Sequence, residues 1–534
     1  MNRIIFLSVP FLVNILLATF TEYWGYYDNK TYVILGSSLV ILSLILSRKQ
    51  DNYLNQFLNF INNTSLINFL PYFYAFILIL FIIYPIRNLN YGDGIILLEN
   101  SYLEGSLFGF QITLDEFLEG FLHSFLINRF QSSFEIYRWF STFAGFLFLT
   151  LCIYIIYKEK RTNIEGLLLI ATGSILLFFG YAENYTLVSL FILGFIYILY
   201  KWMKDQKEDS SIYWIAMLAA LGALFHLVFG YLAFSLAYYT YIKSKKRSFL
   251  VNTIISILMA GSLIGLVFIY FLFFSDPIAS TTQTHVMSQP FYPLRKIIST
   301  RHFLDILGNL WFTSSFALIF ISMAYYLDKL KFKLFCSHQE IKIILLAIFG
   351  FLLHSIIFNP VLNYPADWDL MSFYSLPLIF LCFLYYPQIP NKNLLLPIIL
   401  YFIGFYISTA ITLSKNPIDL EHTYREDMKI AEIYVKENIT KYNSINRYKK
   451  KDYLKLDYFL FKSQSKLEYI NHKEKRELLK ENLSYKSELD TNLKEPTERF
   501  NKEWIKKYYI KLTDYHYRYL KALEEDKKYR LGTL

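Results

Sequence analysis

The sequence predicts an all-α membrane protein of about 11–13 transmembrane helices, followed by a soluble, helical C-terminal domain. Three observations predict it. Of 534 residues, 55% are hydrophobic and 18% charged, against about 25% charged in an average soluble protein. Residues 1–412 read as a succession of apolar runs near the roughly 20-residue length that crosses a bilayer. Charge gathers at the end of the chain: from Leu413 onward there are 28 Lys and Arg and 21 Asp and Glu, 49 of 96 charges in all. These figures argue against a disordered chain and against an ordinary soluble globule. The net charge of +10 lies mostly in the tail. Basic loops are normal in membrane proteins, so the charge does not call for a nucleic-acid partner. The 19% aromatic content accompanies heavy use of Ile, Asn and Lys, as an AT-rich codon bias would also give. It carries no functional weight here. Cys152, Cys336 and Cys382 lie in or beside apolar stretches, with no disulfide or zinc spacing.

The elements follow in order. The opening Met1-Asn2-Arg3 and the apolar run to Phe20 read as a first membrane helix, because no small-x-small cleavage site precedes Glu22. Spans are expected at 3–20, 32–47, 69–86, 138–157, 164–181, 186–202, 212–225, 228–242, 249–274, 306–326, 341–358, 373–387 and 394–412. Short loops rich in Lys and Arg stay in the cytoplasm. Those at 158–161, 201–207, 243–247 and 329–342 are such loops. The short spans at 212–225 and 228–242 could form a tight hairpin around His226 or one long broken helix; two of these basic loops flank them, and both stay cytoplasmic only if the segment crosses twice, which favours the hairpin. A plasma (inner) membrane protein with a cytoplasmic N-terminus follows. Segments 87–137, 182–185, 275–305, 359–372 and the tail 413–534 are then extracytoplasmic. The tail interleaves charged and apolar residues, as in Glu432-Ile-Tyr-Val-Lys436, and reads as a solvated helical domain or stalk.

Acids and histidines at or within a membrane are costly and point to function. Here they collect in the external segments. Loop 87–137 opens on Gly92-Asp93-Gly94, where the flanking glycines let the chain turn and aim the Asp93 carboxylate at a cavity. Leu114, Phe117, Leu118, Phe121, Leu122 and Phe125 share one face of a helix expected over 114–130. It would lie in the interface, with Asp115, Glu116, Glu119 and His123 on or near its polar side, which reads either as a solvated face or as part of a functional site. The short turn Ala182-Glu183-Asn184-Tyr185 holds Glu183 at the membrane boundary. Segment 275–305 carries Arg295, Lys296 and Arg301, external cations suited to an anionic lipid phosphate or to anchoring in the interface. His302, Asp305 and Asn309 fall on one helical face at i, i+3 and i+7. Asp367-Trp368-Asp369 offers oxygen ligands for a divalent cation, and equally a cap for the next helix. His226 reads either as a hydrogen-bonded structural histidine or as a substrate contact. No P-loop, GxGxxG after a strand, GxSxG or HExxH competes.

The order of many spans, an acidic first external loop and a soluble external C-terminal domain resembles the GT-C superfamily of membrane glycosyltransferases. Gly92-Asp93-Gly94 looks like the family's acid at the mouth of a helix. Asp115-Glu116-Phe117-Leu118-Glu119-Gly120-Phe121-Leu122-His123 looks like its interfacial helix. The set Ala182-Glu183-Asn184-Tyr185, Arg301-His302-Phe303-Leu304-Asp305 and Asp367-Trp368-Asp369-Leu370 resembles a bacterial group of this architecture. The resemblance covers roughly Phe69 to Thr412. It implies a sugar donor on a polyprenyl phosphate and an acceptor that is a glycan, lipid or protein of the cell envelope. Asp93 is the expected base, with Asp115 or Glu116 as runner-up. Arg295, Lys296 or Arg301 would neutralise the lipid phosphate, and Glu183 and His302 would orient donor or acceptor. Metal dependence stays open. Two alternatives of other classes are a flippase or transporter of lipid-linked saccharides and a non-catalytic membrane scaffold.

Overall fold

In hydrocarbon every backbone N–H and C=O needs an internal partner, and a helix supplies it within one segment. The apolar runs accordingly form helices. The computed structural model describes residues 66–86, 117–130, 133–205, 211–244, 249–274, 290–360, 367–389, 395–415 and 475–494, with scattered positions between 511 and 525. The spans expected at 3–20 and 32–47, Asp93, Asp115, Glu116 and residues 361–366 lie outside the described residues.

The membrane unit begins with α1 (Leu66–Ile83), α2 (Phe117–Phe130) and α3 (Ser133–Lys158). It continues with the short α4 (Asn163–Leu169), α5 (Thr186–Lys204), α6 (Ser211–Phe225), α7 (Ala233–Lys243) and α8 (Phe249–Phe274). Then come α9 (Thr300–Leu327), α10 (Lys329–Ser337), α11 (Gln339–Ile357), α12 (Ser375–Tyr385) and α13 (Leu395–Lys415). Among the described residues six helical segments are long and apolar enough to cross a membrane, and three shorter apolar helices accompany them. The protein is a multi-pass membrane protein. Local sequence sets several starts: the Ser299 hydroxyl accepts from His302 N at 3.2 Å to cap α9, and Asp328 accepts from Lys331 N at 2.9 Å to cap α10.

Packing places α12 at the centre, against α4, α5, α9 and α11. In the 18-residue apolar window of its span, Leu370–Gln388, 94% of the residues are buried, whereas over Phe249–Leu266 of α8 the figure is 6%. So α8, packed on α6 and α7, turns most of its surface outward to lipid. The α6–α7 hairpin turns at His226, as the flanking basic loops require.

Two expectations are corrected. Segment 164–181 is no regular span. It is α4, a break at Ile170–Thr172, a 3₁₀ turn over Gly173–Phe178 and a coil, and every residue from Asn163 to Thr186 is buried. Hydropathy registers burial, not helicity, and irregular backbone is tolerated at membrane depth when protein surrounds it. Close approach explains the break in part: a Cβ on Gly173 would lie 2.7 Å from Thr313 Cα. At the facing position α9 leaves helical geometry at Ser314 (φ −134°, ψ 17°). Thr313 donates its hydroxyl to Asn309 O at 2.8 Å and Ser315 donates to Trp311 O, back-bonds that bend helices. The second correction concerns α2. Glu119 and His123 are fully buried, while the Phe117, Phe121 and Phe125 rings stack along the helix and Phe125 is half exposed. The polar side of this helix therefore faces protein, not water.

The C-terminal unit, taken by itself, contains α14 (Lys475–Lys494). Asn482 donates to the Tyr515 hydroxyl at 2.7 Å, the Tyr485 and Tyr515 rings meet edge to face, and Arg518 pairs with Glu481. Leu478, Tyr515, Tyr519 and Ala522 are buried, a small helical core of its own.

Candidate functional site

Contacts between helix ends bring the start of α3, α5, α9 and α12 and the end of α1, α6 and α11 to one end of the bundle. The opposite end is basic and ionic. There Glu159 sits 3.1 Å from both Lys201 and Lys204, and Arg161 pairs with Glu165 at 3.1 Å. Burial alone would raise the Glu159 carboxyl, but hydrogen bonds and charge from Lys204 and Lys201 hold it below its ordinary range.

The first end holds the candidate site. Gly180, in the left-handed region at φ 61°, turns the buried chain into Tyr181–Tyr185. A side chain at Gly180 would meet Pro85 and Arg138. Glu183 and Asn184 are buried there. The Tyr185 ring packs edge-on against His226 at 5.2 Å and Phe373 at 6.0 Å. His226 Nδ1 accepts from Val228 N at 3.0 Å, capping the turn that leads into α7. In the neutral ring its proton therefore sits on Nε2. His354, near the end of α11, stacks against Phe358 and lies 4.7 Å from the Tyr231 ring.

On the other flank, His302 donates from Nε2 to Ile356 O at 2.8 Å, bracing α9 against α11. Tyr292 packs on its ring at 4.7 Å. An antiparallel bridge between Phe291 and Phe358 and a bond from Tyr292 N to Ile357 O hold that segment to the end of α11. Lys296 Nζ lies 4.1 Å over the Tyr292 ring, and Arg301 Nε is 3.1 Å from Asp305. Arg295 is exposed. Burial, then the Asp305 and Asp367 carboxylates, push the Tyr292 phenol well above its usual range. Partial burial lowers the Lys296 ammonium, with Asp305 opposing.

Asp367 and Asp369 are buried. Asp369 Oδ1 accepts from Leu370 N at 2.8 Å and caps the turn before α12. The capping reading of Asp-x-Asp thus has a geometric counterpart. Among the described residues no group of three or more His, Cys, Asp or Glu side chains converges as a metal ion would need.

The structure thus brings Glu183, His226, His302, Asp367 and Asp369 to one end, with Arg295, Lys296 and Arg301 on the adjoining segment. Sequence reasoning put Glu119 and His123 on the polar side of an interfacial helix without naming their partners, and passed over Tyr292 and His354. Their signals were present: Glu119 and His123 stand at i and i+4, and Tyr292 lies between Pro290 and Pro293. The chain matches no family model, no curated protein and no solved structure. What this end of the bundle does must be argued from its own residues.

Proposed function

We propose that this protein is a membrane glycosyltransferase, moving a sugar from a polyprenyl-phosphate donor to a glycan, lipid or protein acceptor at the extracytoplasmic face. The observation that supports this reading is the sidedness of the buried polar groups. Glu183, His226, His302 and the pair Asp367 and Asp369 come from four separate segments and gather at one end of an apolar bundle, opposite the basic end. A lipid-borne donor and a water-borne acceptor meet at such a boundary.

In the proposed reaction Asp93 takes the proton of an acceptor hydroxyl, whose oxygen attacks the anomeric carbon. The bond from that carbon to the phosphate oxygen breaks and its electron pair leaves with the phosphate. Arg295 and Lys296 would meet the growing negative charge. Arg301 would have to share itself with Asp305. Glu183 and His226 would orient the reactants. If Asp367 and Asp369 hold a divalent cation, a chelator should reduce activity.

The test compares wild type with Asp93→Asn, both purified in detergent and checked for folding, on a mixed pool of polyprenyl-phosphate sugars with cell-envelope extract. The readout is free polyprenyl phosphate. Release by wild type and loss in the variant are expected. Equal release from both would move the base to Asp115 or Glu116.

A second reading, translocation of a lipid-linked saccharide, is favoured by one observation: the buried breaks at Ile170–Thr172 and Ser314 face each other inside the bundle. Discontinuous helices are a device of transporters. Movement of a labelled lipid-linked saccharide across proteoliposomes, with no new glycosidic bond, would select that reading.

A further inference from the structure

We infer that Glu119 and His123 are positioning residues that latch α2 onto the Glu183 turn. Helix α5 begins at Thr186, and its preceding residue, Tyr185, supplies no side-chain cap. The cap comes instead from 67 residues upstream. Glu119 Oε1 accepts from Thr186 N at 3.1 Å, from the Thr186 hydroxyl at 2.5 Å and from Leu187 N at 3.2 Å. Oε2 lies 3.2 Å from the same Leu187 N. A carboxylate at a helix N-terminus meets both the unsatisfied amides and the positive end of the dipole.

One turn further along α2, His123 Nδ1 lies 2.7 Å from Asn184 Oδ1. An amide oxygen only accepts, so the His123 proton is on Nδ1. The ring sits between Tyr137 at 4.0 Å and Phe140 at 4.2 Å, both on α3. It cannot swing without moving those side chains. The two anchors, at i and i+4 of one helix, grip the residues on either side of Tyr185 and next to Glu183. Through Tyr185 the grip reaches His226 and Phe373. A displacement of α2 therefore becomes a displacement of Glu183 and of the His226 contact. In sequence α2 follows directly on Asp115 and Glu116, so the external loop and the buried turn are coupled. Only the purpose of that coupling rests on the glycosyl-transfer reading.

The test places a cysteine at buried Ala182 in a Cys336→Ser background, since Cys152 and Cys382 are buried. A second cysteine variant, at buried Met203, reports on the far end. Both are labelled with a hydrophilic maleimide in lipid nanodiscs. Glu119→Ala should speed labelling at position 182 by about tenfold through local opening, with no change at 203. Thr186→Val should do so to a smaller degree, and Thr186→Ser should restore protection. Unchanged protection at 182 in every variant overturns the latch. Equal opening at 182 and 203 also overturns it, since Glu119 would then be a general stabiliser. In the polyprenyl-phosphate release assay, Thr186→Val should lower kcat with KM little changed, and Thr186→Ser should recover it. Local opening with no release even from wild type would defeat glycosyl transfer and leave the latch standing.

Discussion

Asn309 donates its side-chain amide to the Trp368 carbonyl at 3.2 Å, tying the body of α9 to the acidic turn before α12. Both residues are buried, and the Trp368 indole packs edge-on against Phe312 at 5.3 Å. Asn309→Leu keeps the count and branching of side-chain heavy atoms, though it is bulkier, and removes the donor, leaving a buried carbonyl without this partner. The expected cost is about 1–3 kcal/mol, read as a lower Tm in detergent. An unchanged Tm would mean that the turn is held by its other contacts, such as Ser355 Oγ donating to Met371 O at 2.7 Å.

Glycine substitutions test the close packing behind the broken span. A Cβ on Gly173 would lie 2.7 Å from Thr313 Cα, and one on Gly350 would lie 2.0 Å from Tyr231 O. Both clashes are with backbone, which cannot rotate away. Gly173→Ala and Gly350→Ala should each lose about 1–3 kcal/mol or more by overpacking. Gly261 and Gly265 on α8 have nothing within 4 Å of such a Cβ. Alanine there should be neutral or stabilising by up to about 1 kcal/mol, since glycine costs that much inside a helix. Thermal unfolding of the four variants side by side checks the contrast.

The ionic end of the bundle gives a pH dependence. The Glu159 carboxyl is held below its ordinary value because Lys204 and Lys201 outweigh its burial. A lowered folded-state value means that the unfolded chain binds the proton first. The stabilisation is then complete above the ordinary glutamate value of about 4.3 and is lost as pH falls through the lower folded value. Wild type should therefore lose Tm steeply below about pH 4, and Glu159→Gln, less stable at pH 7, should lose less over that window. Parallel curves for the two proteins would show that Glu159 contributes nothing to the acid transition.

How far the chain could be read in advance depended on what each signal measures. Hydropathy located α3, α5, α8, α9, α11 and α13, because each is a long apolar run that forms one regular helix. It misread 164–181, where apolarity reflects enclosure by protein. Charge bias correctly required a turn at His226, since two basic loops flank the hairpin. The candidate site was legible as a set of types at one end: Glu183, His302, Asp367 and Asp369 are gathered there. Their partners were not legible, because the bonds join residues far apart in sequence, such as Glu119 with Thr186 and His302 with Ile356. For α2 the amphipathic pattern read as a helix lying in the interface, and it did not show that Glu119 and His123 are buried against protein.

His226 allows a structural role to be tested apart from a chemical one. Nδ1 caps the turn by accepting from Val228 N, so a contact with substrate would fall to Nε2. Asparagine can present an acceptor near the Nδ1 position and is a good cap; leucine is not. His226→Asn should hold stability to within about 0.5 kcal/mol, and His226→Leu should cost about 1 kcal/mol. If Nε2 contacts donor or acceptor, both variants should lose polyprenyl-phosphate release to the same extent despite their different Tm values. If release instead follows stability, with His226→Asn active and His226→Leu weakened, then His226 is a cap alone and the contact to substrate passes to Glu183.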